Sequence, residues 1–521
     1  MANLPRILWA DDEIELLKPH VLFLESKGYD VVGVTNGVDA VEKVREERFD
    51  LVFLDEQMPG MGGLEALSEI KASVPDIPVV MITKSEEESL MEDAIGGQIA
   101  DYLIKPVKPN QILLTCKKLL DARVLKEEKA AQTFLQSFGR ISATLNDELS
   151  HETWAEVYQE LVRYDLQLEG DDGARQILDE QLRSAQTAFG RWVEANYEDW
   201  IEYAHTPPDE HRPVLSHEVM PQWVFPLLQE KKPIFFLLID CMRYDQWLEF
   251  ERLLYPLFDM EKNFHYAILP TATPYARNAI FSGLLPIDMA KRFPSQWADA
   301  EENENSKNLN EELFLQDLLK RHRLSPKTRY EKIINGNEGR ELLKNIRTYA
   351  KNDLSAIVVN FVDILAHSRS DSNVLKEIAP DERAYRALTR TWFAHSWLFQ
   401  IFQELAELDC NIIVTSDHGA VRSLHDTKVI GDRSTSTSLR YKHGRNLKAD
   451  TRHAIFIKDP KRYGLPQGGI NTNYIIAKED YYFVYPTNYH HYQHQYWDTF
   501  QHGGASLQEM ILPVIRMKPK K

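Results

Sequence analysis

Side chains that could handle a phosphoryl group stand at the ends of short apolar segments near the N-terminus. They are Asp11 and Asp12 after RILWA, Asp55 in LVFLD, Thr83 in PVVMIT and Lys105 in YLIKP. Converging carboxylates repel each other, and an Mg²⁺ ion bound to the three aspartates would relieve that repulsion. Asp55 could then attack a phosphoryl group while Lys105 and Thr83 hold its oxygens. These residues predict a phosphoryl-accepting site that contains magnesium.

A second set of acids and imidazoles lies in the C-terminal three hundred residues. The apolar runs PIFFLLID, SAIVVNFVD and NIIVTSD each end in an acid, and the set comprises Asp240, Asp363, His367, Asp417, His418 and, in FQHGGAS, His502. Carboxylates and imidazoles in this ratio favour zinc or another borderline metal over Mg²⁺ alone, and the set is large enough for two ions. Taken singly, an Asp-x-x-x-His pair is typical of a helix surface, and HGG is typical of a turn. Their combination at strand ends predicts a metal centre.

A hydroxyl nucleophile precedes a helix in AILPTATPYARNAIFSGLLP, which spans residues 267–286. We expect a strand to lead into a helix with Thr273 as its N-cap and Pro274 as its first residue. Backbone amides and the helix dipole would then converge on the Thr273 hydroxyl. Arg277 follows one turn later, where it could clamp a phosphate group.

The elements that must position these residues alternate between strand and helix at both ends of the chain. RILWA, YDVVGV, LVFLD, PVVMIT and ADYLIKP have the composition of strands, and helical patterns such as GVDAVEKVREE separate them. This alternation predicts a parallel sheet wrapped by helices, with the N-terminal acids at the carboxyl ends of its strands. The wholly apolar runs of the C-terminal region predict a second parallel sheet that is covered on both faces.

Strand signals stop between these two regions. KEEKAAQTFLQSFGRISATL, DELSHETWAEVYQELVRYDL and ARQILDEQLRSAQTAFGRWVEANYEDWIEYA carry apolar residues three and four apart and predict amphipathic helices. A Pro-rich stretch at 205–214 marks the next boundary. We therefore expect domains at 1–123, 124–208 and 209–521.

Two further segments carry separate predictions. The acidic stretch ENENSKNLNEE, residues 302–312, is expected to be a solvated insertion. The Tyr- and His-rich stretch 485–497 is expected to be a loop that partly packs and partly faces substrate, either as a second metal patch or as an aromatic platform for bases.

Composition excludes some functions. A net charge of −18, from 61 basic and 79 acidic residues, argues against a duplex-DNA-binding face, and no helix-turn-helix with a basic recognition helix is evident. Cys116, Cys241 and Cys410 lack CxxC spacing and fit a reducing compartment. No signal-peptide pattern begins the sequence, and no apolar run approaches the roughly 20 residues that span a bilayer. We expect a cytoplasmic protein without direct binding to duplex DNA.

The N-terminal region resembles the receiver domain of two-component response regulators. The segments ADDE, LDEQMPGMGG, MIT and YLIKP occur in the order found in that family. The resemblance implies Asp55 as phosphoacceptor, Thr83 and Tyr102 as a switch pair, and a cis peptide bond at Lys105–Pro106. The alternative is a flavodoxin-like domain whose acids are incidental.

The C-terminal region resembles the alkaline phosphatase superfamily and, within it, the PglZ domain. Superfamily members place Gly ten residues after the nucleophile, as Gly283 follows Thr273, and sulfatase-like members place Arg four residues after it, as at Arg277. PTAT also resembles the nucleophile segment of nucleotide phosphodiesterases, and Thr271 remains an alternative nucleophile because gaps could shift the match by one turn. The resemblance implies one zinc ion held by Asp363, His367 and His502 and another held by Asp240, Asp417, His418 and the threonine.

The whole chain resembles PorX-type response regulators, a family associated with type IX secretion. The expected fold is α/β, with a flavodoxin-like receiver domain, a helical-bundle middle domain and an alkaline-phosphatase-like C-terminal domain. The family implies a sensor histidine kinase partner, an inner-membrane component of the secretion machinery and an extracytoplasmic-function sigma factor.

Two hypotheses follow from these resemblances. The leading one is a zinc-dependent phosphodiesterase, acting on oligonucleotides or nucleotide messengers, in which phosphorylation promotes a homodimer. The alternative is an interaction module with a structural metal site, in which phosphorylation controls the binding of a sigma factor or a secretion component.

Overall fold

The computed structural model describes residues 4–74, 77–84, 99–168, 173–209, 211–297, 309–432, 436, 438–467, 469 and 471–520. The chain divides into two compact units, one of Met1–Phe134 with Gln167–Gly170 and the other of Leu135–Leu166 with Asp171–Lys521. Among the described helices, none is both long and apolar enough to cross a membrane.

The first unit contains a five-stranded parallel sheet. Its strands are β1 (Arg6–Ala10), β2 (Asp30–Val34), β3 (Leu51–Asp55), β4 (Val79–Thr83) and β5 (Asp101–Ile104). Its described α-helices are α1 (Lys18–Glu25), α2 (Gly37–Glu46), α3 (Gly63–Ser73) and α4 (Pro109–Cys116), and one π-helical turn follows at Lys117–Asp121. The strand order β2-β1-β3-β4-β5 confirms the predicted parallel sheet and places β1 beside β3.

Both faces of this sheet are covered. Leu8 and Val52 belong to the apolar cluster on one face, while Ile7 and Phe53 belong to the cluster on the other. Strands buried on two sides expose functional groups only at their ends. The acids that follow β1 and end β3 therefore meet at one edge of the sheet.

Three long helices follow, as predicted. They are α5 (Ala122–Thr144), α6 (His151–Gln167) and α7 (Gly173–Glu202). Trp154, Tyr158 and Leu161 of the predicted apolar stripe are all buried. Apart from Gln167, the helices α6 and α7 belong to the same compact unit as the C-terminal sheets.

The second unit contains the remaining elements. Its strands are β6 (Ile234–Ile239), β7 (Phe258–Tyr266), β8 (Thr328–Ile333), β9 (Leu354–Val359), β10 (Asn411–Thr415), β11 (Val421–Ser423), β12 (His425–Ile430), β13 (Tyr441–Gly444), β14 (Lys448–Ala449), β15 (Ala454–Ile457), β16 (Asn473–Ala477), β17 (Tyr481–Val484), β18 (Thr499–Gln501) and β19 (Ile511–Pro519). Its further α-helices are α8 (Tyr244–Leu254), α9 (Thr273–Ser282), α10 (Pro286–Arg292), α11 (Glu311–Arg321), α12 (Gly336–Tyr349), α13 (Phe361–Asp371), α14 (Asn373–Ile378), α15 (Glu382–His395), α16 (Trp397–Ala406), α17 (Tyr489–Tyr496) and α18 (Leu507–Met510). Short 3₁₀ or π turns occur at Ser216–Glu218, Met220–Val224, Phe225–Glu230 and Pro460–Tyr463.

A six-stranded sheet in the order β7-β19-β10-β6-β9-β8 forms the centre of this unit. The strands β10, β6, β9 and β8 are mutually parallel, whereas β19 runs antiparallel to its neighbours β10 and β7. The predicted parallel core is confirmed. Because β10, β6 and β9 are adjacent, the residues that follow them lie side by side at one edge.

Aromatic side chains join α6 and α7 to this sheet. The ring of Trp154 lies 5.2 Å from that of Phe189, and the ring of Trp192 lies 6.1 Å from that of Tyr266 on β7. The Tyr266 hydroxyl donates a hydrogen bond of 2.6 Å to the carbonyl oxygen of His151. The aromatic cluster anchors both helices on the sheet by burying large apolar surfaces.

Four local predictions differ from the structure. The strand β9 ends at Val359, so Asp363 lies in the first turn of α13. The helix α9 begins at Thr273 with Ala272 as its N-cap, one residue earlier than predicted. Residues 489–496 form a helix where a loop was expected. Within 302–312, residues 302–308 lie outside the described residues, while Glu311 is 1% exposed and starts α11, so this end is not solvated.

Candidate functional site

The N-terminal acids form one compact group. Ligand atoms of Asp11, Asp12 and Asp55 lie within 4.8 Å of one another. The Lys105 ammonium is 2.9 Å from Asp11 Oδ2 and 3.0 Å from Asp55 Oδ2. Burial raises the pKa of Asp55, and the ion pair with Lys105 opposes that rise. The arrangement brings a cation and an attacking carboxylate together, as a phosphoryl-accepting site requires.

Thr83 ends β4 and Lys105 follows β5, at the same edge of the sheet as the acids. The Thr83 hydroxyl donates to Glu56, and the Lys105–Pro106 peptide bond is cis. Tyr102 on β5 is 40% exposed. The role of Thr83 and Tyr102 as a switch pair stays a prediction.

A first C-terminal group consists of Asp240, Asp417 and His418, all buried, with ligand atoms within 4.8 Å of one another. Asp240 follows β6, and the pair Asp417–His418 follows the adjacent β10. Asp417 Oδ1 accepts a hydrogen bond of 3.3 Å from the Cys241 amide, which ties the two strand ends together. A Cβ at Gly419 would collide with the Gln508 carbonyl oxygen, so glycine is required immediately after His418.

A second group consists of Asp363, His367 and His502. Asp363 and His367 lie one turn apart on α13, and His502 follows β18. The rings of His418 and His502 stack with centroids 4.2 Å apart, so the two C-terminal groups are adjacent. His367 is half exposed, whereas His418 is fully buried, which opens the second group to solvent and encloses the first.

The donor geometry fits zinc in both groups. Four-coordinate zinc with bonds of about 2.0–2.1 Å separates its ligand atoms by roughly 3.3–3.4 Å. Asp363 Oδ1 lies 3.4 Å from His367 Nε2 and 3.7 Å from His502 Nε2, and Asp240 Oδ1 lies 3.7 Å from His418 Nε2. Asp240 Oδ1 and Asp363 Oδ1 are buried without a hydrogen-bond partner in the described chain. Buried carboxylate oxygens left unpaired are costly unless a cation binds them.

The pKa values of Asp240 and Asp417 are shifted in opposite directions. Burial raises the pKa of Asp240 well above its usual range. Burial acts in the same direction on Asp417, but the charge of Arg277 opposes it, and the pKa of Asp417 is lowered. Burial lowers the pKa of His502 to about 3, so its imidazole is neutral, as a metal ligand must be.

Thr273 faces the first group. Its Oγ1 lies 3.1 Å from His418 Nε2, and His418 Nδ1 lies 3.2 Å from the Gly419 carbonyl oxygen. A carbonyl can only accept, so Nδ1 carries the proton and Nε2 presents its lone pair toward the site and the hydroxyl. Thr273 is also the first residue of α9, where backbone amides point at incoming anions.

Thr271 has a different environment. It is fully buried, its hydroxyl donates to the Gly504 carbonyl oxygen at 2.7 Å, and it accepts from the Gly503 amide at 3.1 Å. These two hydrogen bonds use the hydroxyl to hold the turn that follows His502. The two threonines of PTAT therefore have distinct surroundings, which their spacing alone did not reveal.

Arg277 lies behind the first group. It is fully buried, its Nε lies 2.9 Å from Asp417 Oδ2, and its Nη2 pairs with Asp240. Glu311 lies 3.8 Å from Arg277 on the far side, and Asn360 donates to Asp240 Oδ2 at 2.9 Å. Sequence reasoning missed Glu311, because it lies in a polar acidic stretch, and Asn360, because nothing marked it beyond its place after an apolar run.

Family comparisons assign all three regions. Residues 7–117 match the response regulator receiver domain, residues 124–201 the PorX response regulator linker domain, and residues 219–517 the BREX system PglZ alkaline phosphatase-like domain. This order is that of PorX-type response regulators, and the predicted resemblance is confirmed. Below, "linker" denotes residues 124–201 and "output domain" residues 219–517.

Individual relatives share only part of the chain. The transcriptional regulatory protein ZraR of Klebsiella oxytoca is 37% identical over 135 residues, which are 26% of this chain and 30% of ZraR. The transcriptional regulatory protein ResD of Bacillus subtilis is 32% identical over 118 residues, or 23% of this chain and 49% of ResD. The chain thus spans less than half the length of these relatives. A CheY-like receiver domain structure from Methanospirillum hungatei is 28% identical, covering 23% of this chain and 96% of that one, with a TM-score of 0.23.

Proposed function

We propose that the output of this protein is zinc-dependent hydrolysis of phosphodiesters. The chain belongs to the PglZ family of alkaline phosphatase-like domains, because the match to that family covers residues 219–517, more than half of the chain. A receiver domain precedes this output domain, as in a response regulator. The observation that carries the proposal is the Thr273 hydroxyl, 3.1 Å from His418 Nε2 at the edge of two adjacent groups of metal ligands.

Each ligand group would hold one zinc ion. Asp240, Asp417 and His418 form one group, and Asp363, His367 and His502 form the other. When bound, two zinc ions would lower the pKa of the nucleophile and neutralise charge on the phosphate oxygens. The buried Oδ1 atoms of Asp240 and Asp363, which have no hydrogen-bond partner among the described residues, support this assignment.

Thr273 is the proposed nucleophile. Its Oγ1 would form a bond to phosphorus, the alcohol of the substrate would leave, and water would then hydrolyse the threonine ester. Thr271 is assigned a structural role, because both of its hydrogen bonds go to the turn beside His502. Arg277 is assigned a positioning role in place of the expected phosphate clamp, because its guanidinium is buried between Asp240 and Asp417.

The proposed substrate is an oligonucleotide or a nucleotide messenger. Support comes from the likeness of PTAT to the nucleophile segment of nucleotide phosphodiesterases. On α17, the rings of Tyr492 and Tyr496 stack at 5.7 Å, and Trp497 directly after it is 54% exposed. Exposed aromatic rings bind bases by stacking without sequence preference.

Regulation would begin at the receiver. We assign Asp55 as the phosphoacceptor, Mg²⁺ to Asp11, Asp12 and Asp55, and Lys105 and Thr83 to the phosphoryl oxygens. A sensor histidine kinase would supply the phosphoryl group in the cytoplasm, and phosphorylation would favour a homodimer. The match to the PorX linker supports a link to type IX secretion, through an inner-membrane component or a sigma factor.

The test compares Thr273→Val with Thr273→Ser at equal zinc content. The serine variant keeps the hydroxyl, so it should hydrolyse bis(p-nitrophenyl) phosphate, whereas the valine variant should show no turnover above the uncatalysed rate. Both should retain the zinc content and unfolding midpoint of the wild type. Equal turnover by both variants would refute Thr273 as nucleophile. Absence of turnover in all three proteins, with zinc bound, would favour the alternative of a structural metal site in an interaction module.

A further inference from the structure

Arg243 occupies a central position among the turns that carry the metal ligands, without being a ligand itself. We propose that Arg243 is a positioning residue that fixes these turns and connects them to the linker helix α6. The inference deepens the proposed function, because it rests on the same metal centre. Arg243 lies three residues after Asp240, and its side chain is 2% exposed.

Arg243 touches the segments that bear ligands from both groups. It belongs to the turn that follows Asp240, and its Nη1 donates to the Ala420 carbonyl oxygen at 3.4 Å. A Cβ on Gly419 would lie 3.2 Å from Arg243 Cγ, so the chain after His418 packs directly on this side chain. The guanidinium also lies 5.6 Å from the ring centroid of Phe500, two residues before His502. One side chain therefore contacts three ligand-bearing segments.

Two carboxylates fix the guanidinium in this position. Asp245 accepts from Nε at 2.9 Å and from Nη2 at 2.6 Å, a bidentate pair, and Glu382 on α15 lies 2.6 Å from Nη2. Bidentate pairing fixes both the position and the plane of a guanidinium. A lysine at 243 would keep the charge but could not bond both carboxylates and Ala420 in this geometry. Among the described residues Arg243 forms no hydrogen bond to a ligand side chain, which makes its role positional.

The ion pairs continue from Asp245 to the linker. Arg386 Nη1 lies 3.2 Å from Asp245 Oδ2 and also pairs with Asp165 at the end of α6. Asp165 pairs in turn with Arg175 on α7 at 2.7 Å. A chain of charges thus runs from the linker to the ligand-bearing turns through Asp165, Arg386, Asp245 and Arg243.

This chain of ion pairs borders a cavity. The cavity has a volume of about 410 Å³. All four side chains of this series of ion pairs line it: Asp165, Arg386, Asp245 and Arg243. Removal of one partner from such a buried series leaves a charge uncompensated, so each pair depends on its neighbours. The linker is therefore placed to influence how tightly the ligand turns are held.

The test measures metal affinity as well as activity in the full-length protein. The chain is freed of metal with a chelator and titrated with Zn²⁺ against a chromogenic chelator, and the visible spectrum of the Co²⁺ form is recorded. Substitution of a residue that orients metal ligands from outside typically weakens metal binding by about 10–100-fold. Arg243→Lys should therefore weaken zinc binding by that factor and shift the Co²⁺ absorption bands. Arg252→Lys is the matched control, because Arg252 lies on α8, the helix whose N-cap is Arg243, and its side chain is 56% exposed.

Asp165→Asn tests the connection to the linker and should weaken zinc binding in the same direction, beyond any change in the control. Wild-type affinity and an unchanged Co²⁺ spectrum in Arg243→Lys would overturn the positioning role. Weakened binding in Arg243→Lys with wild-type binding in Asp165→Asn would overturn the connection to the linker. If Arg243→Lys does not fold, Arg386→Lys replaces it with the same two readouts. If the wild type binds zinc but hydrolyses no phosphodiester, the proposed activity fails. The zinc affinities of the variants then still decide whether Arg243 is a positioning residue.

Discussion

Replacement of Thr271 by valine separates the two threonines of PTAT. Valine has nearly the same shape but no hydroxyl, so the substitution removes the hydrogen bonds to Gly504 and Gly503. Thr271 is fully buried, so water cannot replace the lost partners. The Gly503 amide and the Gly504 carbonyl are then left unpaired, and each unpaired buried group costs about 1–3 kcal/mol. The free energy of unfolding of the output domain should fall by roughly 2–4 kcal/mol, allowing for partial relaxation.

The position of Thr271 adds an effect on metal binding. Gly503 follows His502 directly, and its φ of +114° is a conformation that side chains rarely adopt. Loosening this turn should weaken zinc binding by the second group, since His502 loses part of its support. Turnover should return at saturating zinc, because the Thr273 hydroxyl is intact.

The assay combines urea unfolding followed by circular dichroism with turnover measured as a function of zinc concentration. Thr273→Val is the paired variant and should show the opposite pattern, with unchanged stability and no turnover at any zinc concentration. The reasoning is refuted if Thr271→Val is as stable as the wild type and remains inactive with a full complement of zinc. That result would make Thr271 the nucleophile.

Three further predictions concern other parts of the structure. Gly419→Ala should lower the unfolding midpoint and the zinc content, because its Cβ would collide with the Gln508 carbonyl oxygen. Gly139→Ala is the control and should lower neither, because no described atom lies within 4 Å of the added carbon and a helix interior favours alanine over glycine. Equal metal content in both variants would contradict the collision. Asp55→Asn should take up no phosphate from radiolabelled acetyl phosphate. The control Asp101→Asn loses only the contact with Lys118 and should be labelled normally. Labelling of Asp55→Asn would exclude Asp55 as the phosphoacceptor. Removal of metal with a chelator should abolish turnover and lower the midpoint of thermal unfolding of the output domain, since bound ions stabilise the folded state. An unchanged midpoint would show that the converging carboxylates need no cation.

Much of the site could be predicted because parallel strands bring their carboxyl ends together. The strand containing Leu51–Asp55 and the strand ending at Ala10 are neighbours, so Asp11 and Asp55 had to meet. The same logic brought Asp240 and Asp417 together at the ends of β6 and β10. The three metal-ligand groups have the compositions expected from the residues and from the resemblance. Their function as ligands stays a prediction.

The orientations of individual side chains and their long-range contacts could not be predicted, because sequence periodicity does not encode them. PTAT shows two hydroxyls, but only the structure shows that one holds a turn and the other faces His418. Arg277 has the spacing of a phosphate clamp, yet burial turns it toward two carboxylates. Glu311 looked solvated because its neighbours are acidic. Packing of α6 and α7 on the output sheet depends on contacts such as that of Trp192 with Tyr266, which lie far apart in sequence.

The most direct test of the central claim is turnover of a chromogenic phosphodiester during titration of the metal-free chain with zinc. The proposed centre predicts that activity rises with added zinc and reaches its plateau at two equivalents per chain, with no plateau activity in Thr273→Val. Hydrolysis by the metal-free chain, or no hydrolysis after both equivalents are bound, would contradict the assignment of the output domain as a zinc-dependent phosphodiesterase.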